Sequence, residues 1–421
     1  MSLTERMHEI QQGFQKTFWI ANSLELFERL AFYGAKAVLT VYLANKVGLQ
    51  EEAGTMAGVF SGLIYSLPVF AGVLVDRYGF RRTLMACFFI FALGYFAIGL
   101  AGMTWGEQLV GLVGKRAYVW FVLILTAIGG SLIKPCIVGT VAITSREQVR
   151  ALGFSIYYTL VNFGGALGPI LAMNVRENLG IEFVLITSSI TSALLFVGTL
   201  LFFKEPVPEK PIEVRTFARV FNDMLLVFKN IKFMAFLVIF SGFWIMFWQI
   251  FYSFPFYVTD VLQYKKFELL ETVDAFGIII LTMPIAALVK KWPPFRAMIV
   301  GFVLASGSWF IIGTFPTVMA AIAGVFVYAI GEATQAPRFY EYVSRLAPPE
   351  QVGTYMGFAF LPVAIGSFAA GPLADYLRTV WLPVNPSMMW FITSSIGIVC
   401  TILIVLYDRY LIPRTSTSKS A

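Results

Sequence analysis

Charge is scarce in this chain, and so is every residue pattern that supports covalent chemistry. Of 421 residues only 13% are charged, against 58% hydrophobic. A soluble protein carries roughly 25% charged residues, so a water-soluble globular fold is excluded. There is one histidine, His8, in a polar N-terminal tail, where it reads as a solvated side chain. The three cysteines, Cys87, Cys136 and Cys400, lie in apolar runs without paired spacing and read as small buried residues. No H-E-x-x-H, G-x-S-x-G, Walker A loop or Cys/His cluster occurs. With no nucleophile–base pair and no ligand set, neither an enzyme nor a metal or cofactor site is expected. The first 16 residues are polar, and the apolar segment after them is too long for a signal core, so no cleavable leader is expected either.

What the chain has instead is apolar runs of about 20 residues, each long enough to cross a bilayer. They fall at 18–43, 56–75, 83–101, 118–141, 151–173, 183–203, 231–258, 272–289, 297–315, 318–345, 351–374 and 387–411. The longest polar stretch lies between the sixth and seventh. It opens with a stiff Lys-Glu-Pro-Val-Pro-Glu-Lys-Pro segment and continues from Arg215 to Lys229 as an amphipathic helix suited to the membrane surface. The expected organisation is a six-helix unit over 1–203, a linker over 204–230 and a second six-helix unit over 231–421. With both termini cytoplasmic, roughly 20 Lys and Arg fall in cytoplasmic loops and tails and roughly 7 outside, the bias expected of an inner-membrane protein. The net charge of +7 is then a topology signal facing anionic lipid, and no nucleic-acid partner is implied.

Four ionisable side chains sit inside the first apolar segment, in Glu25-Leu-Phe-Glu28-Arg29-Leu-Ala-Phe-Tyr33-Gly34-Ala-Lys36. A charge at the centre of a lone transmembrane helix costs at least ~2.5–3.5 kcal/mol. The spacing places Glu25, Glu28/Arg29, Tyr33 and Lys36 on one helical face. That face must look into protein or a water-filled cavity. Lys134, in the fourth segment, needs a carboxylate, and Glu25 and Glu28 are the deep acids of the first half. In the second half Glu332 lies midway through its segment, with Gln335 close by. Trp248 and Gln249 are candidates to line the same space, and Arg338 and Glu341 are placed for a local i, i+3 salt bridge.

The loop after the second segment reads Gly72-Val-Leu-Val-Asp76-Arg77-Tyr-Gly79-Phe-Arg81-Arg82. This G-x-L-x-D-R-x-G-x-R-R pattern resembles the signature of the major facilitator superfamily. It assigns Asp76, Arg77, Arg81 and Arg82 to conformational gating, with Asp76 pairing across the seam between halves. An echo at Gly371-Pro-Leu-Ala-Asp375 falls on the outside and is given no gating role. The first-segment run resembles the E-x-x-E-R-F-x-Y-Y-G signature of the proton-coupled oligopeptide transporters, with Leu30 and Phe32 as departures and Lys36 where arginine is usual. Tyr65 and Pro68, Gly129-Gly130-Ser-Leu-Ile-Lys134-Pro135, Phe154-Ser-Ile-Tyr157-Tyr158 with Asn162, Gly331-Glu332 with Pro337, Leu346-Ala347-Pro348 and Gly353-Thr-Tyr-Met356-Gly357 follow the same family in order.

The resemblance implies an all-α integral membrane protein of twelve helices, in two six-helix bundles related by a pseudo-two-fold. It implies alternating access that couples inward proton movement to uptake of a small peptide, driven by the proton gradient alone. Glu25, Glu28, Arg29, Lys134 and Glu332 would couple protons. Tyr33, Lys36, Tyr65, Lys134, Tyr157, Tyr158, Asn162, Trp248, Gln249, Glu332 and Gln335 would bind the solute, amino end toward Glu332. A monomer is expected. Several features depart from the family: no acid in the seventh segment, Ala359 where tryptophan is common, and no extra helices between halves. A proton-driven exporter of amphipathic compounds is the alternative, and a non-transporting sensor a third reading.

Overall fold

The computed structural model describes residues 13–206, 216–346 and 352–411, with the side chains of 352–354 left aside. Ten helices are long and apolar enough to span a membrane, and a bent pair, Ala53–Ser66 with Pro68–Tyr78, forms another span with a 49° bend. The first helix, Lys16–Val41, is 26 residues long and carries the buried Glu25, Glu28, Arg29 and Lys36. Its charges distinguish it from the other spans, and its length completes a set of twelve traverses.

The sequence boundaries hold to within a few residues. The third span is Phe80–Leu100, the fifth Arg150–Asn178 and the sixth Ile181–Phe202. The ninth is Pro294–Thr314, the tenth Val318–Leu346 and the twelfth Pro386–Tyr410. The eighth differs: Phe267–Val289 begins five residues before the expected start at 272, which brings Glu268 and Glu271 into the span. Among the described residues, extended pairing is limited to a single bridge between Phe14 and Ser145.

Four spans are broken, each just before a proline. The fourth runs Lys115–Ser131 and Ile133–Thr144, the seventh Ile231–Tyr252 and Phe254–Asp260, and the eleventh Val352–Phe358 and Leu361–Tyr376. Proline has no N–H for the carbonyl four residues back, and its ring crowds that carbonyl. Pro68, Pro135, Pro255 and Pro362 therefore interrupt the ladders at Ile64, Ser131, Phe251 and Phe358.

Small residues bring the spans close. The second span packs on the eleventh and the fifth on the eighth, and these pairs join the halves. Gly54, Gly58 and Gly62 recur every fourth residue along the second span, the spacing that lets two helix backbones approach. A Cβ on Gly58 would stand 2.7 Å from the Ser367 carbonyl oxygen and 2.9 Å from Gly371 Cα. Between halves runs the helix Phe217–Phe228, capped by Thr216, which accepts from Arg219 N–H at 3.3 Å. It leaves Phe217, Phe221, Leu225 and Phe228 exposed, as a surface-lying amphipathic helix does.

The glycine contact yields a stability test. Gly58→Val puts a branched side chain against backbone that cannot yield, so it should cost about 1–3 kcal/mol, the range for overpacking. Thermal unfolding of the purified protein reads it, and an unchanged Tm would contradict the close approach.

Candidate functional site

The first span brings Glu25, Glu28 and Arg29 together as its sequence spacing predicts. Arg29 Nε binds Glu28 and lies 3.4 Å from Glu25 Oε1, with all three side chains buried. Its guanidinium also lies over the Phe32 ring, 4.7 Å from the centroid. Gly164 of the fifth span admits this side chain: a Cβ there would meet the Arg29 backbone at 3.0 Å. Both Glu25 oxygens and Glu28 Oε1 are buried without a hydrogen-bond donor among the described residues. Lys134 is near enough for both glutamates to act on its charge. It forms no ion pair among the described residues; its Nζ stands 4.5 Å from the Tyr65 ring and 4.8 Å from the Phe360 ring. The cluster thus holds one clamped cation and one unclamped cation beside carboxylates with spare acceptor capacity.

The second half corrects the expectation of a single deep carboxylate. Glu271 and Asp274 of the eighth span join Glu332 around one cavity of about 80 Å³. Tyr33, Asn162, Gly165, Phe247 and Phe251 complete most of its wall. Both Glu271 oxygens, Asp274 Oδ1 and Glu332 Oε2 are buried with no hydrogen-bond donor among the described residues. Glu271, Asp274, Ala275 and Ile278 line the cavity at i, i+3, i+4 and i+7, the spacing of one helical face. That periodicity was available in the sequence. Starting the span at 272 left Glu271 outside it, and Asp274, inside it, was not singled out.

Lys36 of the first span lies buried behind this wall, against its Tyr33, Phe247 and Phe251 rings. Glu271, Asp274 and Glu332 all act on its charge. Yet among the described residues it forms no ion pair. Its ammonium instead lies 3.6 Å from the Phe251 ring centroid, 4.2 Å from Trp248, 5.2 Å from Tyr33 and 5.3 Å from Phe247. Where the oligopeptide-transporter pattern has an acid in the seventh span, this chain supplies aromatic faces.

Two expected binding residues are directed elsewhere. Gln249 donates to the Ala370 carbonyl at 3.2 Å and accepts from Ser253 Oγ at 2.5 Å, so its amide is spent inside the second half. Gln335 is buried against Gly301 of the ninth span rather than in the cavity wall. Both of its amide atoms are buried there without a hydrogen-bond partner among the described residues. Trp248, expected to line the substrate space, lies behind the cavity wall against Lys36, with its Nε1–H donating to Val363 O at 3.0 Å. Tyr65 meets Trp248 edge-on at 5.8 Å. Tyr157 neighbours Glu25. Tyr158 exposes half its surface yet feels Glu332 and Asp274, so it lines the open approach to the cavity. Asn162 lines the cavity and ties its side-chain N–H to Tyr158 O at 2.8 Å.

Polar ties between the halves concentrate on the membrane face opposite the start of the first span. Arg176, ending the fifth span, binds Glu268, opening the eighth, and also donates to Lys265 O at 2.9 Å. Asp375 corrects a second expectation. Its carboxylate accepts from Gly54 N–H at 2.8 Å, Thr55 N–H at 2.7 Å and Thr55 Oγ1 at 2.7 Å, and so caps the second span from the eleventh. A carboxylate on the orphan N–H groups of a helix start is a favourable cap. The echo motif, given no gating role, thus supplies a contact between the halves. The Gly72–Arg82 loop lies on the other face. Glu205 accepts from Phe80 N–H at 2.6 Å and Arg81 N–H at 2.9 Å, and Arg81 Nη2 donates to Leu200 O at 2.6 Å. Arg77 and Arg82 are exposed and Asp76 half-buried. Arg338 and Glu341 form the expected i, i+3 pair at 2.5 Å.

A two-domain helical membrane fold with charges gathered at the seam of its halves defines a secondary transporter. The major facilitator superfamily profile matches residues 24–371 and, in an overlapping match, 267–419, and the chain belongs to that superfamily. Among its relatives, Multidrug resistance protein MdtH of Photorhabdus laumondii is 22% identical over 374 residues, covering 88% of this chain and 89% of the relative. The protein of that name from Escherichia coli O157:H7 is 25% identical over 382 residues, covering 88% of each chain. Among solved structures, a POT family transporter in complex with 5-aminolevulinic acid superposes with a TM-score of 0.76 at 18% identity, covering 94% of this chain and 96% of that one. The peptide transporter POT in complex with sulfate gives 0.77 at 16% identity, covering 94% of each.

The Arg176–Glu268 contact generates a conformational prediction. Glu268→Arg alone should open the closed face, seen as faster labelling of an Ala275→Cys reporter by a membrane-impermeant reagent added from that side. Adding Arg176→Glu should restore slow labelling. Labelling that is unaffected by the single change would remove this contact from the gate.

Proposed function

We propose that this protein is a proton-coupled symporter for a small solute carrying both an amino group and an acid, with di- and tripeptides as the leading class. The observation that carries the reading is the cavity's polarity. Glu271, Asp274 and Glu332 stand on one side, and the unclamped Lys36 and Lys134 belong to the other half. A zwitterion satisfies both sides at once, each end gaining a charge-assisted hydrogen bond. It also draws the halves together, as alternating access requires. With both termini cytoplasmic in a cell inner membrane, the closed face is external and the cavity faces inward. The protein acts as a monomer.

Protons enter the same bookkeeping of charge. A buried carboxylate is disfavoured when charged by its apolar surroundings and favoured by nearby cations. Glu25 and Glu28 share Arg29 and lie near Lys134, so protonation of one glutamate loosens its hold on the cations and frees Lys134 for a substrate carboxylate. Asp76, Arg77, Arg81 and Arg82 govern the inward–outward balance on the cytoplasmic side.

A second reading has its own support. The residues that line the cavity include three carboxylates and no lysine, which favours a cationic amphipath. The MdtH relatives, named for multidrug resistance, match along nearly nine-tenths of the chain. Export by proton antiport would use the same acids with the opposite coupling sign.

Two sets of variants test the lead reading. Glu25→Gln and Glu28→Gln should abolish gradient-driven dipeptide uptake in proteoliposomes while counterflow persists. Full uptake in both would take them off the proton path. Asp274→Gln and Glu332→Gln should weaken binding of free dipeptides by about 1.5–3 kcal/mol, the range for hydrogen bonds to charged groups. N-acetylated dipeptides should lose little, and equal losses for both ligands would mean that the acids are structural.

A further inference from the structure

From the rings around Lys36, we infer that the seventh span carries a binding site for an alkylammonium, one that accepts fully N-methylated groups and is filled at rest by the protein's own lysine. The inference rests on the reading of the central cavity as the substrate site. A cation against several aromatic faces is held by the ring quadrupoles and needs no hydrogen-bond acceptor. Phe251, Trp248, Tyr33 and Phe247 place their ring centroids between 3.6 and 5.3 Å of the Lys36 ammonium. Lys36 itself is 3% exposed. An ordinary buried lysine takes a carboxylate, and three lie in electrostatic range. That Lys36 rests on rings instead marks those rings as a cation seat in their own right.

The seat is built rigidly. Trp248 is pinned by its hydrogen bond to Val363 O and stacks on Tyr252 at 5.5 Å with an interplanar angle of 12°. Tyr252 is pinned in turn, its hydroxyl donating to Ala57 O at 3.1 Å. These contacts fix the ring faces whether or not a cation is present. Glu271 and Asp274 stand beside the seat with free acceptor atoms and supply long-range attraction for any cation that enters.

Lys36 comes from the first half, and three of the four rings, Phe247, Trp248 and Phe251, come from the second. The lysine is therefore a tethered stand-in for the substrate's amino end. A substrate ammonium that takes the seat releases Lys36, whose charge is then available to the acids or to the substrate's own carboxylate. Occupancy of the seat thereby breaks one contact between the halves and replaces it with one made through the substrate. Because ring faces do not count N–H donors, trimethylammonium zwitterions fall within the substrate class alongside primary amines.

Isothermal titration of the purified full-length protein with tetramethylammonium tests this, with potassium as the control ion. Lys36→Ala vacates the seat and should bind tetramethylammonium about tenfold more tightly than the unaltered protein. Lys36→Arg keeps a tethered cation there and should show no gain. Phe251→Leu in the Lys36→Ala background should remove the gain. Equal affinity in the unaltered protein and Lys36→Ala, or a gain that survives Phe251→Leu, would overturn the proposal. Should Lys36→Ala fail to fold, Lys36→Gln serves for the same comparison. Dipeptide uptake by the unaltered protein, measured in parallel, keeps the two readings apart: its absence would defeat the symporter and leave the cation seat judged on binding alone.

Discussion

The constraint from which this structure follows is that charge inside a bilayer must be surrounded by protein or water. Eight ionisable groups in the first, fourth, eighth and tenth spans obey it by meeting at the seam of two helical bundles. Arg29 alone is clamped there between two carboxylates. The others are left with incomplete partners, and buried charge held that way is a poor means of gaining stability. A molecule selected only to fold would close those contacts or replace them with apolar packing. The open valences belong to a site whose remaining partners come and go.

The closed face and the cavity depend on each other. Arg176 with Glu268, and Asp375 with the start of the second span, tie the halves on one side of the membrane. Both ties consist of charge and orientation rather than broad apolar burial. The Gly54–Gly58–Gly62 stripe brings backbones together beneath the Asp375 cap. At the proline break of the second span its two halves lie 49° apart. Closure at one face, bends at mid-depth and spare charge in the middle are the geometric parts of alternating access.

Much of this was legible in the residues. Apolar runs located the spans, because the bilayer imposes length and polarity on each one separately. The first-half cluster was legible because it is nearly contiguous in sequence and its helical face can be counted. The second-half site was legible only in part. Glu271 was assigned to a loop because a carboxylate near a span boundary is ordinary there, and only three-dimensional packing turns it inward. Gln249 and Gln335 erred the other way: Gln249 ties its amide to Ala370 and Ser253, and Gln335 turns toward the ninth span, which no single-helix pattern encodes. Of the aromatic run of the seventh span only Trp248 was named as a lining candidate. That the run encloses a lysine from another span is a tertiary fact.

The central claim is that the cavity couples protons to a zwitterion moving in the same direction. Its most direct measurement is the current evoked on a solid-supported membrane when dipeptide is added to reconstituted protein with no imposed gradient. Symport of a neutral zwitterion with a proton predicts a transient carrying positive charge into the proteoliposome, present for a free dipeptide and absent for its N-acetylated form. Absence of a dipeptide current, together with proton efflux driven by an added amphipathic cation, would contradict the account and establish exchange in its place.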